Sequence, residues 1–398
     1  MDADLAGLDD HLAERDVDGY LLDADGDDAD QYYLSGFHAP DPFLTLYDGG
    51  VHLLFARSLE IGRARRESRA ESVERATEFG LDELREDYGP HAARHRTIAR
   101  FLDAHDVSSV AVPPRFPVGT ADGLRGQNIG VRPDDEGVLR ELRATKTPEE
   151  IEWIRDAQAA NQIAMGRAED LLAAARVDDE GRLHHEGTVL TSEQVRQEIE
   201  IALLEEGCAL SETIVAGGAD AADPHERGSG ALHAGEAIII DIFPMDTSTR
   251  YHGDLTRTFC VGDPTETLRE WYALTADAKA AALDTIEPGV TGEAVHNAAC
   301  EVYEDAGLPT LRSESDTETG FIHSTGHGVG LEVHELPRLA PDAGELEPGH
   351  VVTVEPGLYD PAVGGIRLED LVVVTENGYE NLTDYPEEIE PAPDRSGT

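Results

Sequence analysis

The sequence predicts an α/β (α+β) fold in two parts, a mixed α/β domain over residues 1–137 and a larger sheet-and-helix domain over 138–398. Three observations carry that expectation. In the first part short apolar runs alternate with charged helical stretches, the pattern of strands and helices sharing one sheet. The Gly-rich, polar segment GQNIGVRPDDEG (126–137) suits a boundary, and a capped helix start follows it. Beyond residue 210 the chain turns to strands, with two further helices among them. A length of 398 residues leaves room for two ordinary cores.

In chain order, GYLLDA, VHLLFA and SVAVPP read as strands of the first domain, and IGRARRESRAESVERATE (61–78) as a charged helical stretch. Thr147 is then an N-cap, with Pro148 at the first helical position and Glu150 closing a capping box. A second capped helix starts at Thr191 with Gln194 three later. Val195, Ile199 and Leu203 give it one apolar stripe, and Gly207 ends it. Between the two, ARVDDEGRLHHEGTV reads as a surface insertion whose His184 and His185 are solvated loop residues rather than ligands. The strands SETIVAGG, EAIIIDIFPM and YHGDLTRTFCV follow, then helices near 265–286 and 291–306. The chain closes with FIHSTGHGVG, HVVTVEPGLYD and GGIRLEDLVVVTENG.

Charge narrows the function class. Against 82 acidic residues stand 31 basic ones, a net of −51, and Lys146 and Lys279 are the only lysines. Such an excess repels nucleic acid and anionic membranes, so neither is expected as a partner. Acidic residues punctuate the whole chain, and their repulsion destabilises a compact state unless salt screens it. At about 1 M salt the Debye length falls to about 3 Å. A high-salt cytosol is therefore the expected habitat, a merely acidic protein of ordinary habitat being the alternative. No apolar run reaches the length of a membrane span. The acidic N-terminus lacks signal-peptide character, and Cys208, Cys260 and Cys300 form neither a disulfide nor a zinc pattern. A cytoplasmic location is expected.

The chemistry lies in paired carboxylates. Asp241 interrupts an apolar strand, where a lone carboxylate needs a partner or a metal. Asp254 lies thirteen residues on. A hairpin would set the two opposite each other on one face, where they repel unless a cation lies between. The bland alternative is one structural and one exposed aspartate. Glu355 ends another apolar strand and Glu369 sits in the next, so a second hairpin repeats the construction. HSTGHGVGLEVHELP (323–337) adds three histidines. A two-histidine helical zinc site is excluded by Gly326, Gly328, Gly330 and Pro337, so the stretch is expected to be irregular or extended. Glycines beside His327 are expected to let the chain approach a metal closely.

Taken together, GHGVGLEVHE, the aspartate pair ending in GDLTRTF, the EPG strand and GIRLED resemble the pita-bread metallopeptidases, the family of methionine aminopeptidase, aminopeptidase P, prolidase and creatinase. The match runs from about 140 to 385. DQYYLSGF and VHLLFARSLEIGRARRE resemble the extra N-terminal domain of the creatinase, prolidase and aminopeptidase P branch. The resemblance implies a creatinase-like domain followed by a pita-bread catalytic domain. It also implies two divalent metal ions on Asp241, Asp254, His327, Glu355 and Glu369, with Asp254 and Glu369 bridging. An oxygen-rich set of this kind suits Mn²⁺, with Co²⁺, Fe²⁺ or Zn²⁺ possible. By the same resemblance His225 contacts substrate, His334 donates to the reacting carbonyl, His323 lines the proline side of the pocket, and Glu355 moves the proton. Arg367 would orient a metal carboxylate. The implied substrates are small peptides with proline second, and the implied assembly is a homodimer.

The connection between Asp241 and Asp254 is about two residues longer than in many relatives, which is expected to lengthen the hairpin tip. A register shift instead would turn Asp241 to the wrong face. The alternatives are a metal-free creatinase-like amidinohydrolase, a methionine aminopeptidase and a non-catalytic peptide-binding member of the fold. All five donors and the N-terminal domain stand against them.

Overall fold

The structure is a computed structural model and describes residues 5–210, 212–393 and 395. The chain forms two compact units that divide between Arg143 and Ala144. The division falls one helix later than residue 137, because helix Val138–Ala144 is tied into the first unit. There Asp134 accepts hydrogen bonds from the Gly137 and Val138 amides, and the buried Arg143 guanidinium donates to Asp30 at 2.6 Å.

The first unit is built on a six-stranded mixed sheet in the order Ser72–Arg75, Val51–Phe55, Phe43–Tyr47, Gly19–Ala24, Ser109–Val112, Gly130–Pro133. Leu21, Leu46, Val110, Ile98, Phe101 and Leu102 share its core. Residues 61–78 are not one helix. Helix Ile61–Glu67 ends there, and Ser72–Arg75 pairs in parallel with Val51–Phe55 as the edge strand of the sheet. A charge-rich edge strand with only Val73 buried carries the same polarity as a solvated helix face, so composition does not separate the two.

The second unit consists of two halves, each a helix pair on a sheet. In the first half, helices Pro148–Ala173 and Ser192–Glu205 pack on antiparallel strands Ile214–Gly217, Ile238–Ile242 and Leu255–Phe259. Both helices start on the expected capping boxes: Thr147 with Glu150, and Thr191 with Gln194. In the second half, helices Glu266–Thr285 and Gly292–Asp305 cover a five-stranded sheet. Its order is Glu335–Leu339, Gly326–Gly328, Val351–Val354, Asp370–Thr375, Gly378–Asn381. Their caps, Thr265 and Thr291, accept from Leu268 and Ala294. Residues 175–189 are not a bare loop but a small three-stranded meander. In it His184 lies 2.9 Å from Asp178, so local pairing orders the insertion. Among the described residues no helix is long and apolar enough to cross a membrane.

Candidate metal centre

Strand alternation builds the first carboxylate pair. Ile238, Ile240 and Ile242 point into the helix-covered core, each contributing on the order of 1.5–3 kcal/mol by burial, which turns Asp241 to the opposite face. On the neighbouring strand Leu255 and Phe259 share that core, and Asp254, Thr256 and Thr258 face the other way. The ladder pairs Asp241 with Thr256, not with Asp254. Asp254 therefore sits diagonally, one residue beyond the ladder. Its offset from Thr256 is two residues, so it keeps the face of Asp241, and the long hairpin tip does not flip the register. Gln158 fixes Asp254 from the helix behind: its amide donates to the Asp254 carbonyl and accepts from the Asp254 amide, both at 2.9 Å. Only glycine at 253 permits this approach, since a Cβ there would press on Gln158.

The second pair lies where one hairpin opens. Val351–Val354 pairs with Asp370–Val373, and beyond a gap the same register resumes as Gly357–Asp360 with Gly364–Arg367. Glu355 and Glu369 stand opposite each other in that gap. Their amides turn outward instead, Glu355 to the Thr325 carbonyl (2.8 Å) and Glu369 to the Thr256 carbonyl (3.1 Å). The second of these bonds joins the two sheets at the site. Thr256 adds a hydroxyl bond to Glu369 at 2.8 Å, and Arg367 crosses to Asp241 at 2.5 Å.

His327 lies on the short strand Gly326–Gly328, extended as expected. Its Nδ1 donates to the Gly328 carbonyl at 3.1 Å, which leaves Nε2 facing the carboxylates, 3.2 Å from Glu355 and 3.9 Å from Asp254. A backbone acceptor behind the ring is the arrangement that fixes the tautomer of a metal-bound histidine. The flanking glycines serve a different purpose from the one expected. A Cβ at Gly326 would strike the Thr353 carbonyl, and one at Gly328 the Leu336 carbonyl, so they admit neighbouring strands rather than a metal.

Electrostatics tests whether these residues fit a metal. Burial, then the charges of Glu369, Asp241 and Glu355, push the Asp254 carboxyl well above the carboxylate range. Burial, then Glu355 and Asp241, do the same to Glu369, and Asp241 is raised by burial despite Arg367. Burial would raise Glu355 too, but the His327 hydrogen bond and the charges of His327, His323 and Arg367 lower it to about 2. Asp241 Oδ1 is buried without a hydrogen-bond donor among the described residues. Asp254, His327 and Glu369 bring one donor atom each within 4.8 Å of one another. A crowd of carboxylates with one arginine for counter-charge, and a histidine Nε2 that holds a proton toward Glu355 and would exchange it for an ion, fits divalent cations of the hard-to-borderline class.

Arg367 is almost fully buried. It bonds Asp241, the Tyr359 hydroxyl (3.1 Å), the Thr256 hydroxyl (3.3 Å) and the Pro224 carbonyl (3.2 Å). Tyr359 in turn lies 3.0 Å from His323 Nε2, while His323 Nδ1 donates to the Ser324 carbonyl at 2.7 Å. Both nitrogens of His323 are thus engaged. His334 is exposed and stands edge-on to His327, ring centroids 4.3 Å apart. His225 is also exposed and directly follows Pro224, whose carbonyl accepts from Arg367. The five candidate donors thus gather here, with Arg367, His323, His334 and the His225 loop beside them.

Sequence reasoning missed Thr256, Tyr359 and Gln158, and it missed the buried pair of Lys146 with Glu335 at 3.0 Å. Two signals were present. Thr256 and Tyr359 fall an even number of residues from Asp254 and Glu355, hence on the same strand faces. Lys146 is one of two lysines in the chain, and both are buried in ion pairs.

On this fold, the buried carboxylates around one histidine form a site suited to divalent metal. The chain belongs to metallopeptidase family M24: residues 152–376 match that family, and residues 5–145 match the creatinase/prolidase N-terminal domain. It is 34% identical to a Xaa-Pro dipeptidase of Pyrococcus furiosus over 259 residues, 64% of this chain and 67% of that one. Among solved structures it resembles the prolidase of Pyrococcus horikoshii OT3, with a TM-score of 0.78, 26% identity, and 97% and 99% of the two chains covered. A Thermotoga maritima X-Pro aminopeptidase gives a TM-score of 0.77 and 26% identity over 95% and 99% of the chains. The family and the fold expected from the motifs hold.

Proposed function

We propose that this protein hydrolyses the Xaa-Pro bond at the N-terminus of dipeptides or short peptides, with two divalent ions, Mn²⁺ foremost, held by Asp241, Asp254, His327, Glu355 and Glu369. The observation that carries this reading is the buried group of four carboxylates around one imidazole, with three further histidines beside it. The names of the relatives, Xaa-Pro dipeptidase, prolidase and X-Pro aminopeptidase, support the substrate class. Bound there, the ions supply a Lewis acid and a water acidic enough to attack near neutral pH.

The side chains divide the remaining work. Glu355, ionised and hydrogen-bonded to Thr353 at 3.3 Å, takes the proton of the attacking water and delivers it to the leaving proline nitrogen. His334 donates to the carbonyl oxygen as charge develops on it. His225 and His323 flank the substrate, His323 braced by Tyr359. Arg367 holds Asp241 in place and offsets one of the four negative charges. We further propose a homodimer, as the resemblance implies, and a high-salt cytoplasm as its setting, the latter consistent with a net charge of −51. The presence of all five donors speaks against a metal-free amidinohydrolase and a non-catalytic binding module.

The test is Mn²⁺-dependent release of proline from Xaa-Pro dipeptides and tripeptides in molar KCl. Glu355→Gln and Asp254→Asn should each abolish it; full activity in either variant refutes the assignment. The longest peptide accepted separates a dipeptidase from an aminopeptidase P.

A further inference from the structure

The first unit holds a second cluster of metal-binding side chains, Asp48, His52 and His105, whose donor atoms lie within 4.8 Å of one another. Asp48 stands at the turn between strands Phe43–Tyr47 and Val51–Phe55, His52 follows on the second strand, and His105 is the C-cap of helix Leu81–Ala104. His52 Nε2 is 3.0 Å from Asp48 Oδ1, and His105 Nδ1 is 3.8 Å from Asp48 Oδ2. The ring centroids are 4.1 Å apart. The side chains of Asp48, His52 and His105 are only 18%, 11% and 16% exposed.

The far side of each ring decides what the near side offers. His105 Nε2 lies 2.8 Å from Glu74 Oε1, and a carboxylate there can only accept. His52 Nδ1 lies 3.0 Å from the Ser72 hydroxyl, whose single proton goes to the same Glu74 oxygen at 2.6 Å. Ser72 therefore accepts from His52. One carboxylate thus sets both tautomers, directly for His105 and through Ser72 for His52. In the neutral rings this leaves two nitrogen lone pairs, His52 Nε2 and His105 Nδ1, turned toward the Asp48 carboxylate. Three electron-rich donors facing each other repel unless a cation joins them. A proton on His52 alone would answer its 3.0 Å contact with Asp48, whereas protons on both rings would set like charges 4.1 Å apart. Carboxylate-backed histidines converging on a third donor are the pattern of a metal site with its outer partners in place.

We propose that Asp48, His52 and His105 bind a divalent cation of the zinc class, with Glu74 and Ser72 as positioning residues. Two imidazoles and one carboxylate are a nitrogen-rich set, which favours Zn²⁺ or Co²⁺ over Mg²⁺ or Ca²⁺ and leaves a fourth position for water. The ion would tie together the strand turn, strand Val51–Phe55 and the end of the long helix. The inference is independent of the peptidase reading.

The test compares the full-length protein with its His52→Gln/His105→Gln variant. Each is loaded with Zn²⁺ in molar KCl with excess Mg²⁺, which competes for surface carboxylates, and is then desalted. The native chain should retain one more zinc per chain than the variant, and Co²⁺ titration should give a visible absorption component that the variant lacks. Mn²⁺-dependent peptide hydrolysis should be unchanged between them. Equal zinc retention overturns the proposal, as does a cobalt spectrum common to both. Should the double variant fail to fold, Glu74→Gln keeps the question open to measurement: zinc affinity should fall about 10- to 100-fold. An unaltered affinity in that variant refutes the site.

Discussion

Lys146 offers the sharpest test of how the catalytic unit holds together. Its ammonium lies 3.0 Å from Glu335 Oε2 and 3.3 Å from the Ala144 carbonyl, and the Lys146 and Glu335 side chains are 1% and 3% exposed. Glu335 in turn accepts from the Glu332 amide at 3.0 Å and directly follows His334. Removing one partner of so buried a pair strands the other charge, a loss of about 3–5 kcal/mol. Lys146→Met should therefore lower stability by about that much, read as a shift in urea midpoint at fixed KCl with an unchanged slope. Adding Glu335→Gln removes the stranded charge and should restore at least half of the loss. The single variant should also lower kcat/KM by loosening the His334 loop, whereas the midpoint reports the pair alone. A single variant within about 1 kcal/mol of the native protein refutes the reasoning. So does a double variant no more stable than the single.

Three further outcomes follow from the geometry. Burial, then the Lys146 ammonium, push the His350 imidazole down to about 4. The unfolded chain therefore binds a proton near pH 6.5 that the native chain refuses until about pH 4. Stability from this residue is complete above 6.5 and is lost as pH falls through that window, by up to about 3 kcal/mol. His350→Asn should flatten the pH dependence of the urea midpoint there, and an unchanged slope refutes the assignment. The net charge of −51 predicts a urea midpoint that climbs steeply between about 0.1 M and 2 M KCl as the Debye length contracts from about 10 Å to below 3 Å. A flat profile would remove the case for a high-salt habitat. Gly328→Ala sets a methyl group against the Leu336 carbonyl beside His327. It should lower metal retention and activity together, measured by metal analysis and proline release, and a native-like variant would show that the strand yields.

Most of what is local or periodic was legible in the residues alone. Both capping boxes, the apolar stripe of helix Ser192–Glu205 and the extended conformation around His327 follow from side-chain spacing and backbone preference. The expectation that Asp241, Glu355 and Glu369 turn inward came from acidic residues that interrupt or end apolar strands, where a lone carboxylate needs a partner or a metal. The motifs supplied the family. Local pattern failed at Ser72–Arg75 and at the 175–189 meander, where charged residues look alike on an edge strand, a helix surface and a loop.

Relations between segments far apart in the chain emerged only with the packing. No spacing announces that Gln158 clamps Asp254, that Arg367 reaches Asp241, or that Thr256 bonds Glu369. The diagonal placement of Asp241 and Asp254 depends on where the ladder ends, and the outward amides of Glu355 and Glu369 depend on a second sheet being present to accept one of them. The physical reason is the same in each case. A buried charge or amide must find a partner, and which partner it finds is set by the packing of whole sheets and helices, while a sequence records only its neighbours along one strand.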